Sequence, residues 1–308
     1  MILTICPNPS IDCTIELDNL NVGMLNRVRN KVETYSGKAL NVAMGVARLG
    51  KPSMTTGFMF NENNRLFEQK LDNEGVSYRF IYNPGSARVN YKIVDKKSML
   101  TEINDRGNVV ERSKQLELIE MVRQMAVKCD IAVMSGSIPK GVDAEFYHEV
   151  LSVIPDRVKK IVDTETDNMN AALKGDVFMV KPNLRELEAF SEMTIHDKHD
   201  MLRASLKYIE RGVKLVLLSL GADGAILTDG SESYYCKSAN VAVNSTVGAG
   251  DCMVAAACVE LERGSSLSEI LRSSVAAGTA SITTSGTNLF YKDKYDEIYS
   301  KIQAVKMP

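Results

Sequence analysis

Six short runs are apolar at consecutive positions rather than at alternating ones: residues 2–6 (ILTIC), 54–60 (MTTGFMF), 131–136 (IAVMSG), 159–164 (KKIVDT), 177–183 (VFMVKPN) and 214–221 (KLVLLSLG). A strand buried on both faces reads this way, and the stretches between them carry helical, one-sided patterns that would cover such a sheet. The alternation predicts an α/β fold, a doubly wound and mostly parallel sheet flanked by helices, in one domain over residues 1–308. Two segments break the rhythm. Residues 13–35 and 87–105 alternate polar and apolar positions with no helix between their strands, which predicts a small antiparallel sheet outside the main one. The first follows the first strand, where open α/β sheets place ligand loops, so the two insertions, at about 12–35 and 86–105, are read as one lid. The last third turns helical at residues 249–264, 267–286 and 291–303.

Composition narrows the partners. Over 308 residues, 37 basic side chains oppose 39 acidic ones, leaving a net charge of −2. That balance offers no cationic surface for nucleic acid or anionic membrane. No run approaches the ~18 apolar residues of a membrane span. The six cysteines, Cys6, Cys13, Cys129, Cys236, Cys252 and Cys258, contain no C-x-x-C pair, and scattered thiols in apolar runs fit a reducing cytoplasm.

The candidate chemistry centres on NSTVGAGDCM, residues 244–253. Gly248, Ala249 and Gly250 form a small-residue turn at a helix start, where unpaired N–H groups and the helix dipole favour an anion. Asp251 follows at once. A carboxylate there either caps the helix or accepts a proton from a hydroxyl attacking a phosphoryl group. Two familiar phosphate motifs fail. A P-loop would need glycine at Val32 and Ser or Thr at Ala39, and a dinucleotide fingerprint would need glycine at Met253.

Other motifs stand at predicted element ends. Lys38 and Asn41 follow Gly37 at a helix entry and supply a cation and an amide; Asp12 lies just past the first strand and could accept sugar hydroxyls. Lys181, Asn183 and Glu186 in VKPNLREL end a strand and begin a helix, where phosphates and hydrated Mg²⁺ could be met. Ser219, Gly221 and Gly224 lie in LSLGADG, a nucleotide-facing loop or a tight connection. His196 and His199 lack further ligands for a transition metal.

In this order, NPSID, GK-x-x-NVA, SGSIP, KPN-x-x-EL, SLGADGA and TVGAGD resemble the ribokinase-like (PfkB) carbohydrate kinase family over essentially the whole chain. The chain is most similar to the phosphosugar branch, which contains 1-phosphofructokinase and tagatose-6-phosphate kinase. The resemblance implies ATP-dependent phosphorylation of a hydroxyl beneath a β-sheet lid that often forms a homodimer contact. It assigns Asp251 as base and Gly248, Ala249 and Gly250 as anion hole, with Asp12, Gly37 and Asn41 on sugar hydroxyls. ATP would meet Lys181, Asn183, Ser219, Gly221, Gly224, Thr246 and Val247, with Gly278 near the adenine; Glu186 would organise Mg²⁺ through water. A monovalent cation is implied near Ser245 and Ser285. Arg27 and Arg88, placed in the lid strands above Lys38, would bind a phosphate already on the substrate. The expected reaction converts fructose 1-phosphate to fructose 1,6-bisphosphate, with tagatose-6-phosphate kinase, 6-phosphofructokinase and a non-catalytic sugar-phosphate sensor as alternatives. SGKA, NDRGN, DTET and GAGDC depart from the family's GGKG, NEPGP, DTSG and GAGDS around the sugar side.

Overall fold

The computed structural model describes residues 1–97, 99–284 and 289–308. The chain opens with β1 (Ile2–Cys6), β2 (Ser10–Glu16), β3 (Asn30–Ser36), α1 (Lys38–Arg48), β4 (Ser53–Phe60), α2 (Asn64–Asn73), β5 (Ser77–Asn83), β6 (Arg88–Val94) and β7 (Leu100–Asn104). It continues with α3 (Arg112–Ala126), β8 (Ile131–Ser135), α4 (Glu145–Ser152), β9 (Lys159–Asp163), α5 (Thr166–Ala172), β10 (Met179–Val180), α6 (Leu184–Ser191), α7 (Lys198–Glu210) and β11 (Leu215–Ser219). It closes with β12 (Ala225–Thr228), β13 (Ser233–Cys236), α8 (Ala249–Arg263), α9 (Leu267–Ser281), α10 (Lys292–Lys301) and β14 (Ala304–Lys306).

Ten strands form the main sheet in the order β14-β13-β12-β11-β10-β9-β8-β1-β4-β5. From β5 to β11 all neighbours are parallel, while β11 to β14 pair antiparallel. The consecutive apolar runs are the central strands: every residue of β1 and β8 is buried. The helices form two layers. α1, α8, α9 and α10 pack on one another in series, α3 to α7 do likewise, and both α1 and α3 rest on β1 and β4. A doubly wound sheet results, with the parallel strands ending together along one edge. The antiparallel extension β12 to β14 was not legible as strand, because segments of three or four residues are too short to show a period.

The second sheet has the order β3-β2-β6-β7. It is mixed rather than antiparallel, because β2 and β6, which come from different insertions, pair parallel. Its register sorts the side chains by the two-residue period of a pleat. Ser10, Asp12, Thr14, Thr34, Ser36, Arg88, Asn90 and Lys92 share one face, and Ile11, Cys13, Ile15, Tyr35, Val89, Tyr91, Ile93 and Ile103 share the other. Residues 17–29 connect β2 and β3 without forming strand and leave Val22, Met24, Leu25 and Val28 exposed.

α1 and α8 cross where Gly45 faces Ala255: a Cβ on Gly45 would lie 2.7 Å from the Ala255 Cβ. The close crossing is what brings the start of α1 against the start of α8. Gly45→Val should therefore lower the unfolding free energy by about 2 kcal/mol, since overpacking outweighs the gain in helix propensity. Urea denaturation checks this, and a midpoint at or above that of the unsubstituted protein would contradict the packing account.

Candidate active site

α8 begins at Gly248, whose φ of 82° lies in the left-handed region that glycine adopts without strain, and no side chain caps the helix. Asp251 is therefore not the cap. Its buried carboxylate turns inward, and Oδ2 accepts a 2.8 Å hydrogen bond from Asn41 Nδ2. The Asn41 amide also donates to Ser36 Oγ at 3.2 Å. Because β3 runs straight into α1, this bond ties the second sheet to the α8 entrance.

Beside Asp251 lies an ionic chain built from three strand ends and one helix start. Lys38 Nζ is 3.1 Å from Asp163 Oδ2, and Lys181 Nζ is 3.4 Å from Asp163 Oδ1. Asp163, the last residue of β9, is fully buried and also receives Ser135 Oγ from the end of β8 at 3.3 Å. Lys181 runs under the first turn of α8: a Cβ on Gly250 would stand 3.1 Å from its Nζ. Gly250 thus makes room for a cation as well as for any ligand.

Charge in this cluster follows from burial and spacing. Burial pushes the Asp251 carboxyl up to about 6, and repulsion from Asp163 adds to this against Lys38, the Asn41 bond and Lys181. For Asp163 burial also works upward, but Lys181 and Lys38 outweigh it and hold the group below the usual carboxylate range. Desolvation works to lower Lys38, yet Asp163, Asp251 and Glu186 outweigh it and raise its pKa. At neutral pH the two carboxylates and Lys38 are all charged, and Lys38 remains 44% exposed, open to a ligand.

The second sheet supplies the other side. Asp12 accepts from Asn90 Nδ2 at 3.2 Å and Ser10 Oγ at 3.4 Å on Oδ1, with Lys92 Nζ 3.2 Å from Oδ2. Arg88 donates to the backbone oxygen of Asp105 at 3.0 Å and of Asn8 at 3.5 Å. Burial keeps its guanidinium below the ordinary arginine value. Gly37 is required by packing, since a Cβ there would lie 2.8 Å from Cys6 Sγ. Arg27 departs from the sequence expectation: it is exposed in the 17–29 connection rather than in a strand, because β2 ends at Glu16 and β3 starts at Asn30.

Beyond Lys181 the chain forms a cavity of about 440 Å³ lined by Asn183, Arg185, Lys198, Ser219, Gly221 and Tyr235, among others. Asn183 and Glu186 form a reciprocal capping box at the start of α6, each bond 2.9 Å. Thr246 is exposed and Val247 half-buried in the turn leading into α8. Two glycines have packing reasons of their own. A Cβ on Gly224 would fall 2.0 Å from the Cys236 carbonyl oxygen, and one on Gly278 2.8 Å from Met253 Cγ. Ser285 lies outside the described residues.

Sequence reading did not single out Asp163, Asn90 or Lys92. Asp163 showed only as the first letter of DTET, an isolated acid at the end of an apolar strand. Asn90 and Lys92 were hidden in an alternating segment, where only the register of β6 against β2 reveals that they face Asp12.

Comparison with known proteins gives the same picture over the whole length. A 1-phosphofructokinase of Borreliella burgdorferi is 30% identical over 281 residues, 91% of each chain. A tagatose-6-phosphate kinase of Staphylococcus epidermidis is 27% identical over 311 residues, spanning both chains completely. Solved structures of phosphofructokinase-2 from Escherichia coli, one with substrates and products and one in complex with potassium, superpose with TM-scores of 0.90 and 0.89. Both are 28% identical and cover 97% of this chain and 98% of theirs. The sequence profile of the pfkB family of carbohydrate kinases matches residues 7–294, and the chain belongs to that family of phosphotransferases.

Proposed function

We propose that this chain transfers the γ-phosphoryl group of ATP to the 6-hydroxyl of fructose 1-phosphate, giving fructose 1,6-bisphosphate. The observation that carries the reading is a buried carboxylate, Asp251, with a pKa pushed up to about 6, at an uncapped helix start beside Lys38 and Lys181. Such a group is ionised at neutral pH yet basic enough to take the proton as the hydroxyl attacks. The N–H groups of the Gly248-Ala249-Gly250 turn and the two ammonium groups face the charge that spreads over the transferring phosphoryl oxygens.

Asp12 and Asn41 would hold the sugar hydroxyls, with Gly37 shaping the floor. Lys38 and Arg88 would hold the phosphate the acceptor already carries, with Arg27 added from the 17–29 connection. Asn183, Ser219, Gly221, Gly224, Thr246, Val247 and Gly278 would border ATP. Glu186 fits a water-mediated hold on Mg²⁺: one oxygen is used by the Asn183 N–H, and its charge is felt at Lys38, within the same cluster. When bound, that ion would offset phosphate charge. A monovalent cation would lie near Ser245, whose Oγ accepts from the Val247 N–H at 3.3 Å.

The apolar face of the second sheet, with Tyr91 and Ile103 exposed, supports the sheet acting as a lid over residues 12–35 and 86–105 and as the contact of a homodimer. Among the described residues no helix is long and apolar enough to cross a membrane, and all six cysteines are buried and unpaired. A cytoplasmic location suits those free thiols. The tagatose-6-phosphate kinase relative supports a second reading, in which a ketose phosphate epimeric to fructose is the acceptor.

With Mg-ATP and a panel of fructose 1-phosphate, fructose 6-phosphate, tagatose 6-phosphate, free fructose and ribose, ADP release should be fastest with fructose 1-phosphate. Arg88→Ala should raise KM for that acceptor roughly 30-fold and leave free sugars unaffected; turnover of free sugars alone would refute the assignment. Asp251→Asn should lower kcat by about 10³-fold, while kcat/KM of the unsubstituted enzyme should fall as pH drops through about 6. The same substitution should separate function from stability. The folded pKa of Asp251 is raised from 3.8, so stability present below that value is lost as pH rises through about 6. Asparagine escapes the loss, and Asp251→Asn should be more stable than the unsubstituted protein by about 3 kcal/mol at pH 8 and equal near pH 4. Urea denaturation at both pH values reads this out, and equal stability at pH 8 would show that the carboxylate is not destabilised by burial.

A further inference from the structure

The sugar-facing side of the second sheet holds a lysine that no part of the reaction above uses. Lys92 projects from the middle of β6, its side chain 9% exposed, and its Nζ lies 3.2 Å from Asp12 Oδ2. A buried ion pair is a poor way to hold two strands together, because the desolvation of both charges offsets most of their attraction and an apolar pair would serve as well. The geometry instead fixes a carboxylate. Asn90 Nδ2 and Ser10 Oγ occupy Oδ1 while Lys92 occupies Oδ2, so the plane of the group is set from two neighbouring strands. The Asn90 amide orientation follows from this contact, since the reversed amide would set oxygen against carboxylate.

Around this clamp, three buried polar atoms have no hydrogen-bond partner among the described residues: Asn90 Oδ1, Arg88 Nε and Asn8 Oδ1. Two are acceptors and one is a cationic donor, a set matched by a ligand that offers hydroxyls and an anionic oxygen. Orphaned buried groups are costly, and they persist where a ligand completes them.

We infer that Lys92 is a positioning residue for the acceptor sugar: its ammonium, with Asn90 and Ser10, holds the Asp12 carboxylate in one orientation, so that Asp12 can accept sugar hydroxyls. This rests on the proposal that Asp12 binds the acceptor. The other charged groups near Asp12 are Arg88 on β6 and Lys70 on α2, and only Lys92 forms an ion pair with it among the described residues.

The test compares Lys92→Met, Lys92→Arg and the double variant Asp12→Leu/Lys92→Met with the unsubstituted enzyme, on the sugar that the unsubstituted enzyme phosphorylates best. Lys92→Met should raise KM for that sugar at least tenfold at pH 8, with kcat and KM for ATP within twofold. Lys92→Arg should recover most of the loss. The double variant should melt no lower than the unsubstituted protein while binding no sugar. Should Lys92→Met not fold, Lys92→Gln gives the same readout, since its shorter polar side chain loses the ammonium that meets Asp12 Oδ2. An unchanged sugar KM, or parallel losses in ATP KM and melting temperature, would overturn the inference while leaving the kinase reading intact. An unsubstituted enzyme inert towards every sugar would remove both.

Discussion

Asp251 is an ionisable acid sealed beneath the first turn of a helix, and most of what surrounds it follows from that burial. A carboxylate there is tolerable only with donors and cations at hand. Asn41 supplies the donor from α1, and Lys38 and Lys181 supply positive charge. Those two cations would repel each other without Asp163, whose two oxygens face one lysine each. The result is an alternating chain of charge along the carboxyl edge of a parallel sheet, where β8, β9, β10 and β11 all end. The backbone accommodates it through glycine: Gly248 turns left-handed into α8, Gly250 leaves space for Lys181, and Gly45 lets α1 approach.

The second sheet repeats the same physical solution on the acceptor side. Asp12 is buried on a polar face and held by an amide, a hydroxyl and an ammonium, while β2 and β6 turn apolar side chains to the opposite face. A short hydrogen-bonded path joins the two halves. Ser36 ends β3 on that polar face and bonds Asn41, which in turn bonds Asp251. Movement of the sheet relative to the main body would therefore be felt at the group proposed as base.

The architecture was legible because its central strands are apolar on both faces, a pattern that survives in a single sequence. The runs ILTIC, IAVMSG and KKIVDT became β1, β8 and β9 nearly residue for residue. Short strands such as Ala304–Lys306 carry no period and were invisible, as was the parallel pairing of β2 with β6, whose segments are far apart in the chain. Turn chemistry showed where α8 begins, but two readings of Asp251 remained until the cap was seen to be Gly248. Gly224 and Gly278 fit a ligand motif by letter and a packing constraint by geometry. Asp163 and Lys92 were missed for one reason: an isolated charged residue gains meaning only from what lies across from it in space. The flanks of Arg27 alternate like a strand, but the mixed polar and apolar residues 17–29 have no strand to pair with among the described residues.

The proposed catalysis turns on the ionisation of one group. Carboxyl carbons of aspartate can be labelled with ¹³C and their chemical shifts followed with pH by NMR, with Asp251→Asn assigning the signal. A midpoint near pH 6 for Asp251, against the ordinary 3.8, is the predicted result. A midpoint at or below the ordinary value would mean that the carboxylate is not held as a base, and the proposed mechanism would fail with it.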